Sequence, residues 1–180
     1  MYKIAIIGTH GIGKTTLVSL LESEGKRRGL TIKTIPEVVR LSPFPINAGF
    51  GVDGANWIVT SQINKELDAQ AANIEFLICD RSAYDPICYL KVGNHPHRSY
   101  EALEKYAWNW IKTYDKIFMV YPSGEEIIND GVRSMDKQFQ DDVHDEFKNI
   151  IHFIKSDRLF KVEAKDVFSG SLEGVYTNIF

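Results

Sequence analysis

The sequence predicts an α/β fold, a three-layer sandwich in which helices cover both faces of a mainly parallel, five-stranded sheet. Two observations lead to this prediction. Short apolar runs alternate along the chain with segments whose apolar residues recur at helical spacing. The chain has 180 residues, 44% of them hydrophobic, which is enough for one sizeable core and too few for two comfortable ones. A single domain over residues 1–180 is therefore expected.

Five short apolar runs are predicted to form the sheet. The first, YKIAII, ends at Gly8 and has the pattern of a strand that is buried on both faces, as parallel sheets require. Pro36 should end the second run or confine it to a sheet edge, because proline cannot donate a hydrogen bond to a neighbouring strand. The predicted strands are residues 2–7, 31–39, 74–80, 116–121 and 159–164.

Helical spacing of apolar residues fills the intervals between these runs. Asp53 and Asp136 are candidate N-caps, the first for a long helix in the middle of the chain and the second for the clearest amphipathic helix. The predicted helices are residues 14–28, a segment that begins near 53, residues 84–92, residues 99–113 and a segment that begins near 136.

The stretch GTHGIGKT directly follows the first predicted strand and fits the phosphate-binding pattern G-x-x-x-x-G-K-[ST]. Its glycines allow backbone N–H groups to face a bound anion. In this pattern Lys14 reaches the β and γ phosphates, and the Thr15 hydroxyl holds Mg²⁺. The glycine spacing does not fit the dinucleotide pattern, so a P-loop NTPase fold that binds ATP with Mg²⁺ is predicted. The candidate nucleotide-binding residues are Gly8, Gly11, Ile12, Gly13, Lys14, Thr15 and Thr16.

Two residues near this motif have open roles. His10 lies inside the loop at a position that the pattern leaves free, so its side chain is expected to face solvent or a neighbouring loop. Asp80 ends a buried strand, as a carboxylate does when it orients Mg²⁺ or its water beside such a loop. The alternative role of Asp80 is a helix cap or turn former. Thr15 and Asp80 are the candidate metal ligands.

Four motifs in order, GTHGIGKTTL, PEVVR, CDRSAYD and DGVRSMD, resemble those of the P-loop nucleoside and nucleotide kinases. This family includes thymidylate kinase, the deoxynucleoside kinases and the nicotinamide riboside kinase domain, and the resemblance spans roughly residues 1–165. Only the first motif is highly specific. The resemblance implies that Glu37, Asp80, Arg81 and Arg133 converge with Lys14 on the transferred phosphoryl group.

The resemblance also implies a lid near residues 124–137, with Arg133 as its cation and Lys137 assisting. Arginine suits this role because its planar donors can bridge phosphate oxygens. The alternative is a solvated Arg133 that pairs with Asp130 or Asp136.

Glu37 and Arg40 bear on the acceptor. If the acceptor is a nucleoside hydroxyl, Glu37 could accept its proton, as the resemblance to the deoxynucleoside kinases implies. If the acceptor already carries a phosphate, Arg40 is placed to hold it, as in the monophosphate kinases. PEVVR departs from the patterns of both groups, and an exposed pair on a loop is the third possibility.

Gln62 and Asp85 are further candidate substrate-binding residues. Gln62 could read an acceptor base by its amide, with stacking from Phe44, Phe50 or Trp57, although core packing is favoured for Trp57. Asp85 lies four residues after Arg81 and could position that arginine or an acceptor hydroxyl, or could cap a helix.

The function best supported by the sequence is a Mg-ATP-dependent phosphotransferase that acts on a small nucleoside or nucleoside monophosphate. A P-loop ATPase or GTPase that acts as a switch would need a water-positioning residue and usually a partner, and no such residue stands out. A polynucleotide-modifying kinase would need a basic groove, which the net charge of -3 disfavours.

The remaining expectations concern compartment and partners. Two cysteines and the absence of a signal-like N-terminus fit a reducing cytoplasm. No apolar stretch approaches the roughly 20 residues that cross a bilayer, so no membrane partner is expected. Nucleic acid is disfavoured as a partner, and a homodimer is left open.

Overall fold

A computed structural model describes residues 1–46, 49–124 and 136–180 of the chain. Within these residues, five strands pair in parallel throughout, in the spatial order β2-β3-β1-β4-β5. The predicted sheet is therefore confirmed. Its strands are β1 (Tyr2–Ile7), β2 (Ile32–Ile35), β3 (Phe76–Asp80), β4 (Lys116–Tyr121) and β5 (Leu159–Glu163).

Helices cover both faces of this sheet, which confirms the three-layer sandwich. Alternation along β1 shows how the layers are filled: Ile4 and Ile6 belong to one buried cluster, and Ala5 and Ile7 to the other. The described α-helices are α1 (Lys14–Arg27), α2 (Val52–Ala71), α3 (Asp85–Val92), α4 (Glu101–Ile111), α5 (Lys137–Ile151), α6 (Ala164–Ser169) and α7 (Glu173–Ile179).

The two core clusters differ in the helices that build them. The first cluster contains buried residues of α2, α3, α4 and α5, and the second contains residues of α1, α6 and α7. The sequence did not predict α6 and α7, because neither helix is long enough to show a clear apolar period. The fifth strand ends one residue early for this reason, since Ala164 is the first residue of α6.

The strand that contains Thr34 and Ile35 is shorter than predicted. It ends before Pro36, a 3₁₀ helix follows at Val38–Leu41, and the strand lies at the edge of the sheet. Both consequences expected from Pro36 are therefore observed.

One of the two predicted helix caps is correct. The Asp136 carboxylate accepts the Phe139 N–H at 3.2 Å and so caps α5. The Asp53 cap is wrong, because α2 begins at Val52, one residue earlier, after Gly51. The carbonyl of Gly51 already accepts the Ala55 N–H at 3.0 Å, which leaves Asp53 inside the first turn.

The parallel order brings the ends of β1 and β3 together. Ile6 lies opposite Asp80 in the register of the two strands, so the loop after β1 and the turn after β3 are neighbours. Ligands of open α/β sheets bind at this carboxyl edge. In the part of the chain that the structure describes, no helix is long and apolar enough to span a bilayer.

The α4 residue Glu104 should contribute to stability in a pH-dependent way. Burial raises its pKa, but hydrogen bonds from Lys91, Tyr84 and His97 outweigh this effect and lower the pKa from 4.5 to about 2. A carboxylate with a depressed pKa stabilises the fold above the unfolded-state pKa, and this contribution is lost as the pH falls towards the folded-state value. Glu104→Gln should therefore weaken the dependence of stability on pH below 4.5.

Urea unfolding at a series of pH values measures this effect. Glu101→Gln is the matched control, because Glu101 is on the same helix and is paired with Lys105, but is exposed to solvent. Equal changes in the acid limb of the two variants would contradict the prediction.

Candidate functional site

The loop between β1 and α1 has the backbone of an anion cradle. Gly8, Gly11 and Gly13 have positive φ values of 132°, 73° and 83°. A Cβ atom on Gly8 would lie 2.8 Å from the carbonyl oxygen of Val120, so the loop packs directly on β4. Only glycine combines this φ with this clearance, and the predicted phosphate-binding loop therefore has the required shape.

The other loop residues divide between the cradle and the core. Lys14 is buried, and its ammonium donates to the carbonyl oxygen of Thr9. The side chain of Ile12 lies in the core, so only its backbone is available to a nucleotide. Thr15 and Thr16 are exposed at the start of α1.

Thr15 and Asp80, the two candidate metal ligands, are in direct contact. The Thr15 hydroxyl donates to Oδ2 of Asp80 at 2.5 Å, although the two residues are 65 positions apart. Asp80 is 1% exposed, and its Oδ1 atom has no hydrogen-bond partner among the described residues. An unsatisfied buried carboxylate oxygen beside a hydroxyl fits the oxygen-rich coordination of Mg²⁺.

Helix α5 holds the loop from outside. The Thr9 hydroxyl donates to the backbone carbonyl of Gln140 at 3.0 Å, and the Gln140 amide donates to the carbonyl of His10 at 2.7 Å. The His10 side chain is buried, with Nδ1 3.5 Å from the Tyr89 hydroxyl and its ring 6.1 Å from that of Phe139. His10 therefore faces neighbouring elements and not solvent.

Arg81 is a second buried cation at this site, in addition to Lys14. Its Nε donates to Oε1 of Glu37 at 2.6 Å, and its Nη1 donates to Oδ2 of Asp85 at 3.3 Å. The guanidinium lies 5.5 Å from the ring centroid of Tyr89. Burial lowers the pKa of Arg81, but Tyr89, Glu37 and Asp85 raise it well above its ordinary value, so the side chain is charged.

The backbone of Arg81 is strained. Its φ is 91°, a conformation that side chains other than glycine rarely adopt. The Arg81 N–H donates to the carbonyl of Ile6 at 3.0 Å, which extends the pairing of β1 and β3 by one residue. This conformation directs the side chain between Glu37 and Asp85.

Glu37 and Arg40 are in contact, but they do not form the exposed pair that the sequence allowed. Glu37 is 4% exposed, and its Oε2 accepts from Nε of Arg40 at 3.0 Å. The Arg40 side chain is 43% exposed at the surface. The Glu37 carboxylate thus links a buried arginine to a partly exposed one.

Asp85 and Gln62 occupy different environments. Asp85 is buried next to Arg81, and its Oδ1 accepts from both the backbone N–H and the hydroxyl of Ser82. Burial raises its pKa, although Arg81 and Ser82 oppose the shift. Gln62 is 2% exposed and donates to Glu66 at 2.9 Å, in a buried cluster away from Arg81. The structure brings Asp85 to the site and does not bring Gln62 there.

A cavity of about 280 Å³ is lined by Tyr89, whose ring also contacts the Arg81 guanidinium. Phe50, which the sequence offered as an aromatic residue of the acceptor pocket, lines this cavity. Trp57 is half-buried and packs against the core. Tyr89 and Phe139 were missed, because each falls on a helix where an aromatic residue also fits a core position. The lining residues are Ile46, Gly49, Phe50, Tyr89, Gly93, His95 and Phe139.

The predicted lid is only partly described. Arg133 and most of residues 124–137 lie outside the described part of the chain. Lys137 begins α5 and donates to Asp141 at 2.5 Å and to the side chain of Gln140 at 3.0 Å.

Asp80→Asn should raise the stability of the protein without ligand and reduce its stabilisation by ATP with Mg²⁺. The substitution removes a buried charge with an unsatisfied oxygen, so the Tm without nucleotide should rise by about 2–4 °C, which corresponds to about 1 kcal/mol. The increase in Tm produced by ATP with Mg²⁺ should fall, because the amide is a poorer ligand for this ion.

Thermal unfolding with and without Mg²⁺ and ATP measures both effects. Asp115→Asn is the control, because Asp115 accepts the backbone N–H of Lys3 at 2.7 Å and already has a partner. It should lower the Tm and leave the ligand effect intact. An unchanged ligand effect in Asp80→Asn would exclude Asp80 as a metal ligand.

Comparison with known proteins identifies a family and a similar fold. Residues 3–157 match the family model described as "AAA domain". Among solved structures, deoxyadenosine kinase from M. mycoides with bound dATP is similar, with a TM-score of 0.66, 18% sequence identity and coverage of 97% of each chain. No curated protein sequence matches the chain. The chain therefore belongs to the AAA domain family and has the fold of a P-loop nucleoside kinase.

Proposed function

We propose that this protein transfers the γ-phosphate of ATP, bound with Mg²⁺, to a small nucleoside or nucleoside monophosphate. The observation that carries this proposal is the Glu37–Arg81–Asp85 network directly beside the phosphate-binding loop. Transfer to an acceptor hydroxyl needs a group that takes the acceptor proton and a cation at the transferred phosphate, and this network contains both.

Arg81 supplies the positive charge that phosphoryl transfer needs. Negative charge on the transferred group spreads over its equatorial oxygens in the transition state, and fixed cations stabilise it. The network of Glu37, Asp85 and Tyr89 keeps the Arg81 guanidinium charged and oriented before substrate binds. Thr15 and Asp80 would hold Mg²⁺, which offsets phosphate charge when it is bound.

Glu37 is the proposed base when the acceptor is a hydroxyl. The acceptor oxygen forms the new bond to the γ-phosphorus, its proton passes to the Glu37 carboxylate, and the bond to the β–γ bridging oxygen breaks to release ADP. Glu37 already accepts hydrogen bonds from Arg81 and Arg40, which fix the orientation of both carboxylate oxygens.

The acceptor is proposed to bind in the cavity beside Tyr89. Rings of Phe50, Tyr89 and Phe139 line it, and aromatic walls suit a planar base. A cavity of about 280 Å³ suits one small molecule better than a polymer. In this assignment Gln62 does not contact the acceptor, because its amide is engaged with Glu66.

A transfer assay tests the reaction. The protein is incubated with γ-labelled ATP and a panel of nucleosides, nucleoside monophosphates and oligonucleotides, and the label should appear on a small acceptor. Lys14→Ala should reduce transfer at least about 100-fold, because a cation at the phosphates is lost. Lys26→Ala is the control, since Lys26 pairs with Glu22 on the exposed face of α1. Release of free phosphate alone, with no labelled acceptor, would overturn the kinase proposal in favour of a hydrolase.

Arg40→Ala identifies the acceptor class. If the acceptor is a monophosphate, the variant should lose at least about 10-fold in kcat/KM, since a charge-assisted bond to phosphate is removed. If the acceptor is a nucleoside, the loss should be smaller, because Arg81 still holds the Glu37 carboxylate. Arg27→Ala is the matched control, because Arg27 pairs with Glu24 far along the exposed surface of α1. Equal losses on nucleosides and monophosphates would contradict a role for Arg40 in phosphate binding.

A further inference from the structure

Every backbone N–H from Arg81 to Asp85 donates a hydrogen bond, and three of the five acceptors lie within the same turn. Asp85 accepts from Ser82, the Ser82 hydroxyl accepts from Tyr84, and the Ser82 carbonyl accepts from Asp85. The N–H of Ala83 is different. It donates at 3.1 Å to the hydroxyl of Tyr114, which is 31 residues further along the chain.

Tyr114 is itself held from another element. It is fully buried between α4 and β4, and its hydroxyl donates to Oε1 of Glu66 at 2.6 Å. Burial and the neighbouring Glu66 raise the pKa of Tyr114 well above its ordinary value, so the hydroxyl keeps its proton. It can therefore donate to Glu66 while it accepts from Ala83.

Each oxygen of the Glu66 carboxylate accepts two hydrogen bonds. Gln62 and Tyr114 donate to Oε1, and Trp110 and Lys3 donate to Oε2, each at 2.6–2.9 Å. Lys3 also lies over the rings of Trp110 and Tyr114, at 4.8 Å and 4.6 Å from their centroids. A carboxylate with four donors cannot rotate without the loss of several bonds at once.

A buried ion pair of this kind is a weak source of stability. Removal of two charges from water offsets most of their attraction, and apolar residues of the same volume often stabilise a core equally well. The Lys3–Glu66 pair does something that apolar residues could not do, because it fixes the acceptor that orients the Tyr114 hydroxyl.

We propose that Tyr114, oriented by Glu66, is a positioning residue for Arg81 in phosphoryl transfer. The hydroxyl fixes the Ala83 amide and with it the turn whose strained backbone directs the Arg81 guanidinium to Glu37. This inference rests on the proposed function for its catalytic consequence alone. Small displacements of a group that stabilises the transition state have large effects on rate, of up to about 100-fold for about 1 Å.

Tyr114→Phe tests the proposal, because it keeps the ring and removes the hydroxyl. We expect kcat to fall at least about 10-fold while KM for ATP changes less than about 2-fold, since the nucleotide cradle is untouched. The Nε–H signal of Arg81 in an NMR spectrum of the protein, assigned with Arg81→Ala, should shift or exchange faster as its 2.6 Å bond to Glu37 loosens.

Tyr84→Phe is the matched control. It too removes a tyrosine hydroxyl that donates to a glutamate, here Glu104 at 2.6 Å, but among the described residues this hydroxyl bonds Glu104 and Lys91 and not the backbone of the Arg81 turn. Both variants should lower Tm. A purely structural role for Tyr114 would give the two variants the same kcat and the same Arg81 signal, and that result would overturn the proposal.

A measurement on the unmodified protein covers the case in which Tyr114→Phe does not fold. The Ala83 amide should exchange with solvent as slowly as amides inside the sheet, and fast exchange would overturn the proposal. If the unmodified protein transfers no phosphate, the proposed function fails. The Ala83 exchange and the Arg81 signal then decide the positioning role on their own.

Discussion

The burial of one charged group, the Arg81 guanidinium, is the constraint on which the rest of the site depends. A buried cation must be paired, and Arg81 finds its partners on two separate elements: Glu37 after β2, and Asp85 and Tyr89 on α3. These contacts fix the turn after β3 relative to the segment after β2. They also explain why a backbone with a φ of 91° persists at this position.

The parallel sheet provides the second part of the arrangement. Because β1 and β3 are neighbours in register, the phosphate-binding loop and the Asp80–Arg81 turn end at the same edge. Thr15 therefore meets Asp80 over a separation of 65 residues. Helix α5 closes the other side through Gln140, which bonds Thr9 and His10 of the loop. The cradle is thus held between the sheet edge and α5.

Two buried polar clusters among the described residues have complementary roles. The cluster around Arg81 faces the cavity and carries the proposed chemistry, whereas the cluster around Glu66 lies inside the first core. In the part of the chain that the structure describes, the Ala83 N–H joins the two clusters, because it donates to the Tyr114 hydroxyl. The hydrogen bond from Ala83 to Tyr114 helps to hold the strained turn, because a strained backbone persists only where the surrounding contacts fix it.

The sequence by itself determined the features that are set by neighbouring residues. The glycine spacing predicted the phosphate-binding loop, and the apolar runs predicted the five strands. The position of Asp136 before an amphipathic helix predicted that it caps this helix. Contacts between distant residues required the tertiary structure, because periodicity carries no information about partners. From its position on the helix, Gln62 could have bound an acceptor base. Only the packed structure shows that its amide instead donates to Glu66. In the same way, only the fold brought Tyr89 and Phe139 to one cavity and joined Tyr114 to the turn of Arg81.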